Sequence, residues 1–75
     1  MYLQEIQKII KKHTGHEPEE LEPPMHFQED LNIGELELLD ILREVEEKYT
    51  LDLSEYEEDI ETIEDLITVL TEELE

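Results

Sequence analysis

The sequence contains no cysteine and no tryptophan, and only two glycines. The lack of cysteine excludes disulfide bonds and cysteine-ligated metals as sources of stability. The 75 residues form one small domain, 1–75, and a chain of this length buries only about 60% of the surface that its unfolded form exposes. Its stability must therefore come from a small apolar core.

Positive charge is scarce, because five Lys and Arg residues face 24 Asp and Glu residues, for a net charge of −19. This balance excludes a nucleic-acid backbone as a direct partner, since its phosphates would be repelled. It also argues against an anionic membrane surface. The complementary partner that it predicts is the basic surface of another protein.

Long apolar stretches are also missing. No run approaches the roughly 18 residues of a membrane span, and the N-terminus lacks the apolar core of a signal peptide. We therefore expect a cytoplasmic monomer with no membrane partner. High net charge with few aromatic residues is also typical of disordered chains, but apolar residues recur at helical spacing in three segments, which favours a folded domain.

Those three segments predict three long helices. The first covers residues 2–13, and Gly15 is its expected C-cap; the second runs from about residue 35 to 49, and the third begins after Thr62 and ends near residue 73. Their apolar faces follow i, i+3/i+4, i+7 spacing. The residues expected on these faces are Tyr2, Leu3, Ile6, Ile9, Ile10 and His13, then Leu36, Leu38, Leu39, Ile41, Leu42, Val45 and Tyr49, then Ile63, Leu66, Ile67, Leu70 and Leu74.

The connections differ in length. Residues 14–34 form a long first loop with a helical turn near residues 17–21, pinned to the core by Leu21, Met25, Phe27, Leu31 and Ile33. The pattern S-x-x-E at Ser54 predicts a capped helix of about two turns, with Tyr56 and Ile60 facing inward. Thr62 begins a second, weaker capping box. The order of elements predicts an all-α four-helix bundle with three long helices and one short helix.

No catalytic constellation is visible, and we expect the protein not to be an enzyme. Ser54 is the only serine, and capping explains it. His13, His16 and His26 have incomplete spacing for zinc and are expected to be solvated. The segment from Asp30 to Gly34 begins like an EF-hand loop, but its sixth and twelfth positions are Glu35 and Ile41. We expect no specific metal site, only loose divalent binding near Glu55, Glu57, Glu58, Asp59 and Glu61.

One stretch carries a resemblance. Phe27, Glu29, Asp30 and Leu31 spell F-x-E-D-L, and the helix that follows reads L-E-L-L-D from Leu36 to Asp40. This combination resembles the acyl carrier protein family, and the order of elements extends the likeness over nearly the whole chain. The resemblance implies the small four-helix bundle with a long first loop that the periodicity also predicts.

The family's attachment motif is where the chain departs. Family members usually read Asp-Ser-Leu at the start of the second helix, and the serine carries 4′-phosphopantetheine; the matching residues here are Gly34, Glu35 and Leu36. No cofactor is therefore expected unless the natural residue at position 35 is serine. A plain structural role also explains Glu35, because a carboxylate in the first turn is favoured by the helix dipole.

The resemblance further implies a partner-binding surface on the second helix, formed by Glu35, Leu36, Glu37, Asp40, Arg43, Glu46 and Glu47. In the family this helix presents carboxylates to basic patches on biosynthetic enzymes. Arg43 departs, since a hydrophobic residue is usual there. The alternative for these carboxylates is a merely solvated helix face.

Three functions remain open from the sequence. The first is a docking module without the attachment serine, in a fatty-acid or polyketide type of biosynthesis. The second is a genuine acyl or aminoacyl carrier with a substitution at residue 35; the additional change at Gly34 favours the first. The third is an unrelated acidic bundle that mimics nucleic-acid charge, against which the F-x-E-D-L element argues.

Overall fold

The computed structural model describes residues 2–75 and builds them around three α-helices. These are α1 (Tyr2–Thr14), α2 (Glu35–Tyr49) and α3 (Ile63–Leu74). Two 3₁₀ turns lie between them, at Pro18–Glu20 and Ser54–Tyr56. No strand occurs in this part of the chain, and a single antiparallel bridge joins His26 to Thr62. The predicted all-α class and the three long helices are confirmed.

The core is built from the apolar faces of the three helices together with the long loop. Each helix buries most of the residues that its periodicity predicts, because helical spacing places them on one side. The buried helical residues are Ile6, Ile9, Ile10, Leu38, Ile41, Leu42, Val45, Ile63, Leu66, Val69 and Leu70. Tyr2 and Tyr49 close the edge between α1 and α2, with ring centroids 5.7 Å apart in an edge-to-face arrangement.

The predicted faces are wrong at several residues. His13 is only partly buried and contacts Glu44, and Leu39 is half-buried outside the packed core. Leu36 was expected to widen the core face of α2, but its side chain is 78% exposed. Leu74 lies in the last turn of α3, past the packed part of the helix, and is 38% exposed. Val69, which the periodicity did not single out, is buried instead.

The long loop is anchored as predicted. Leu21, Phe27, Leu31 and Ile33 are buried, and Met25 packs against them. The loop also makes backbone hydrogen bonds to the entrance of α3: the amide of Phe27 donates to the carbonyl of Glu61 at 2.9 Å, and that of Ile63 donates to Met25 at 3.2 Å. These bonds hold the segment before α2 against the segment before α3.

Capping residues determine where α1 ends and where α3 begins. Gly15, with φ +85°, terminates α1, and its amide donates to the carbonyl of Lys11 at 2.8 Å, which is the left-handed C-cap that glycine favours. Thr62 and Asp65 form a reciprocal capping box at α3, with bonds of 3.0 and 3.1 Å. Both predictions are confirmed, and the box at Thr62 is the stronger of the two proposed.

The predicted fourth helix is not confirmed. Ser54 lies inside the single 3₁₀ turn Ser54–Tyr56 and makes no side-chain cap; its amide instead donates to Oδ1 of Asp52 at 2.9 Å. Ile60 is buried and Tyr56 packs on the core, as expected. Residues 55–61 carry five carboxylates and only these two apolar side chains, so like-charge repulsion opposes a second turn and few contacts compensate for it.

None of the helices in residues 2–75 is both long enough and apolar enough to cross a membrane.

Candidate functional site

The start of α2 places residues 34–36 at the surface. Gly34 is the N-cap, with φ −71° and ψ 165°, and its amide donates to Oε1 of Glu37 at 3.4 Å. Glu35 is the first helical residue and is exposed. The side chain of Leu36 is free of the core and projects beside it. The three residues predicted to stand at the position of the attachment motif are therefore exposed together at the surface.

An exposed stripe continues along α2 from this point. Leu36, Asp40, Arg43 and Glu47 follow i, i+4, i+7 and i+11 spacing and are all exposed. We call these four residues the outer face of α2. Leu38, Leu42 and Val45 are buried on the opposite side. The outer face thus offers one apolar side chain, two carboxylates and one guanidinium to a partner.

Arg43 is distinct among the cations in the described chain. Each lysine lies near a carboxylate: Lys8 and Lys48 contact Glu5 at 3.6 and 3.0 Å, Lys12 contacts Glu44 at 3.3 Å, and Lys11 pairs with Glu17. Within residues 2–75, Arg43 has no carboxylate oxygen within 4.0 Å. Its charge remains available at the middle of the outer face.

Two predicted site residues have structural contacts. Glu46 is partly buried, and its Oε2 accepts from the amide of Leu53 at 2.6 Å, which secures the chain after α2. Glu37 lies beside the outer face, where its hydrogen bond to Gly34 stabilises the helix start. The partner role of both residues stays a prediction, and for Glu46 the bond to Leu53 would compete with partner binding.

Glu44 was not singled out from the sequence. It faces α1 instead of solvent, with Oε1 2.8 Å from Nε2 of His13. The hydrogen bond with His13, supported by Lys12, holds the pKa of the Glu44 carboxyl below its usual value against the opposing effect of desolvation. The position of Glu44 on α2 does not predict its contact with α1. From the sequence alone, a carboxylate at the edge of a helix face is expected to be solvated.

The histidines lie in separate surroundings. His13 contacts Glu44, His16 Nε2 lies 3.0 Å from the carbonyl of Leu31, and His26 Nδ1 lies 3.5 Å from Oδ2 of Asp30. Over residues 2–75, no group of three or more His, Asp or Glu side chains is arranged to hold a metal ion.

An open cleft of about 490 Å³ begins next to Glu35. It is bounded by α2, by residues 26–29 of the long loop and by residues 57–61 of the segment before α3. Sequence reasoning missed this cleft, because three segments distant in the chain build it.

Among known proteins, three similar sequences are acyl carrier proteins. The chain is 32% identical to the acyl carrier protein of Rubrobacter xylanophilus over 71 residues, covering 93% of this chain and 88% of that protein. It is also 32% identical to the acyl carrier protein of Chlamydia muridarum over 69 residues, covering 91% and 90%. The acyl carrier protein of Chlamydia trachomatis serovar D matches to the same extent. No model of a known protein family matches the chain.

Proposed function

The chain belongs to the acyl carrier protein family, and we propose that it serves there as an acidic docking module without the covalent carrier role. The observation that carries this proposal is Glu35, which occupies the position of the attachment serine. Phosphopantetheine is joined through a side-chain hydroxyl oxygen. A glutamate offers only a carboxylate, so the residues present do not fit the group.

The docking part of the proposal is supported by the outer face of α2. Leu36 is an exposed apolar side chain, and Asp40 and Glu47 are exposed carboxylates that make no ion pair or hydrogen bond within residues 2–75. An acidic stripe of this kind is complementary to the basic surface of a biosynthetic enzyme, which would gain orientation and association rate from it. Arg43 interrupts the stripe with a positive charge, so a fitting partner places a carboxylate opposite it.

The experiment that tests the proposal is enzymatic loading. The protein is incubated with coenzyme A and a broad-specificity phosphopantetheinyl transferase, and its intact mass is measured. We expect no covalent addition to the wild-type chain. A stoichiometric gain in mass, on any residue, would contradict the proposal and favour a genuine carrier.

A repaired variant makes the negative result interpretable. Gly34→Asp with Glu35→Ser restores Asp-Ser-Leu, and a side chain fits at position 34, since φ is −71° and the nearest atom to an added Cβ is Glu37 Oε1 at 3.9 Å. We expect this variant to be loaded, whereas Gly34→Asp with Glu35→Ala, its matched control, is not. A folded repaired variant that stays unmodified would show that the transferase-facing surface has also diverged, with Arg43 as the first residue to replace.

A further inference from the structure

The first turn of α2 holds two carboxylates, and they differ in their contacts. Oε1 of Glu37 accepts a hydrogen bond from the amide of Gly34 at 3.4 Å, so this side chain serves the start of the helix. Glu35 is exposed and makes no hydrogen bond or ion pair within residues 2–75. Its charge lies at the N-terminal end of α2, where the helix dipole favours it. This charge remains available to a partner at the position predicted for the attachment serine.

The side chain of a glutamate has the dimensions of the link that a modified serine carries. In a phosphorylated serine, Cβ and Oγ join the phosphorus to Cα; in glutamate, Cβ and Cγ join the carboxyl carbon to Cα. The charged oxygens of both groups therefore lie the same number of bonds from the helix. The phosphate of phosphopantetheine is a diester with a single ionised oxygen, so its charge equals that of a carboxylate, whereas a phosphate monoester carries about −1.5 to −2.

We infer that Glu35 makes this chain a permanent mimic of a carrier that bears phosphopantetheine. The partner that this charge fits is an enzyme that acts on loaded carriers and that places a cation opposite the phosphodiester, beside a basic surface opposite Asp40 and Glu47. A chain without the arm occupies the docking surface of such an enzyme and excludes the loaded carrier, so it acts as a competitive inhibitor. The inference rests on the proposed docking function and adds to it the class of partner and a regulatory role.

Two substitutions separate mimicry from a role in the helix start alone. Glu35→Gln keeps the length of the side chain and removes its charge. Glu35→Asp keeps the charge, which the helix dipole favours in the first turn, but brings the charged oxygens closer to Cα. If Glu35 only stabilises the start of α2, neither substitution changes how a folded chain competes for an enzyme. Mimicry predicts that both weaken the competition.

The test is competition in an acyl-transfer assay. A malonyltransferase moves malonyl groups from coenzyme A to the thiol of the phosphopantetheine-loaded acyl carrier protein of Rubrobacter xylanophilus, and the full wild-type chain is added at increasing concentration. We expect inhibition that additional loaded carrier overcomes. Glu35→Gln should raise the inhibition constant about tenfold, and Glu35→Asp roughly threefold, because the cation of the enzyme loses its close partner.

The matched control is Glu19→Gln, which also removes one exposed charge but lies away from α2. It should leave the inhibition constant within about twofold, and circular dichroism verifies that each variant is folded. Equal inhibition by the wild type, Glu35→Gln and Glu35→Asp would overturn the mimicry but leave docking through the outer face of α2 intact. Equal losses in Glu35→Gln and Glu19→Gln would mean diffuse attraction and would also overturn it. A wild-type chain that does not inhibit would contradict the docking function as well as this inference.

Discussion

Glu44 on α2 makes charged contacts with two residues of α1. Its two oxygens lie 2.8 Å from His13 Nε2 and 3.3 Å from Lys12 Nζ. Its pKa is lowered in the folded protein, first by the hydrogen bond with His13. A lowered carboxyl pKa means that the contact stabilises the fold above the unfolded pKa of about 4.3. That stabilisation is lost as the pH falls through the folded-state pKa.

Comparing Glu44→Gln with Glu47→Gln isolates this contact. Both changes remove one negative charge from α2, but Glu47 is exposed and forms no ion pair in the part of the chain that the structure describes. At pH 7 we expect Glu44→Gln to be less stable than Glu47→Gln by about 0.5–1 kcal/mol. The difference should shrink as the pH falls through the folded-state pKa of Glu44, because the contact is lost when that carboxyl is protonated. Urea unfolding at several pH values measures the difference, and a gap that persists unchanged at the most acidic pH would show that packing, not charge, is responsible.

At the scale of elements, sequence periodicity predicted the bounds of α2 as the structure has them. Leu38, Leu42 and Val45 recur on one face and Gly34 precedes the first turn, so local and tertiary preferences agree. The two capping-box patterns show the limit of such reasoning. Thr62 is followed by the apolar residues through which α3 packs on the core, whereas Ser54 is followed by an acidic run. Only the pattern at Thr62 therefore begins an α-helix.

The candidate site was predicted unevenly for a related reason. Residues 35, 40 and 43 could be placed on the surface of α2 because they lie off its strong core face, whereas Leu36 was expected on that face and is exposed. The contact of Glu46 with Leu53 and that of Glu44 with His13 join segments that meet only in the folded chain. The cleft likewise depends on the loop and the segment before α3 converging on α2, which no pattern within one segment encodes.

The outer face of α2 leads to a prediction that uses the transferase as a partner. In the repaired variant, Asp40→Lys with Glu47→Lys should slow loading roughly tenfold, because charge steering changes association rates by one decade or more. Glu19→Lys with Glu20→Lys makes the same change of net charge away from α2. This pair is a better control than one on α3, since Glu73 accepts a hydrogen bond from Tyr56 at 3.0 Å.

The measurement is the loading rate of each variant at low and at high salt. Circular dichroism verifies that the helical content is unchanged. The difference between the pairs should shrink at high salt, as screening weakens exposed charges. Equal slowing by both pairs would indicate attraction to the whole acidic molecule and no docking face on α2.

At the scale of the whole molecule, repulsion among acidic groups opposes the folded state. The chain carries 24 carboxylate side chains and five lysines and arginines, and the ion pairs described above engage the lysines. The folded chain holds these charges within dimensions of 27 × 24 × 20 Å, so many pairs of like charges lie within the Debye length of about 30 Å at 0.01 M salt. Salt weakens the few attractive pairs too, but the repulsive pairs are far more numerous.

We therefore expect the thermal midpoint to rise between 0.01 and 0.1 M NaCl, where the Debye length falls to about 10 Å. Each kcal/mol of relieved repulsion should raise it by roughly 4–8 °C in a domain of this size. The variant with Glu19, Glu20, Glu57 and Glu58 all changed to Gln removes four exposed charges that form no ion pair among the described residues. It should melt higher than the wild type at 0.01 M NaCl and respond less to added salt. If the wild-type midpoint stayed constant or fell with salt, attractive pairs such as Glu5 with Lys48 would outweigh the net charge, contrary to this account.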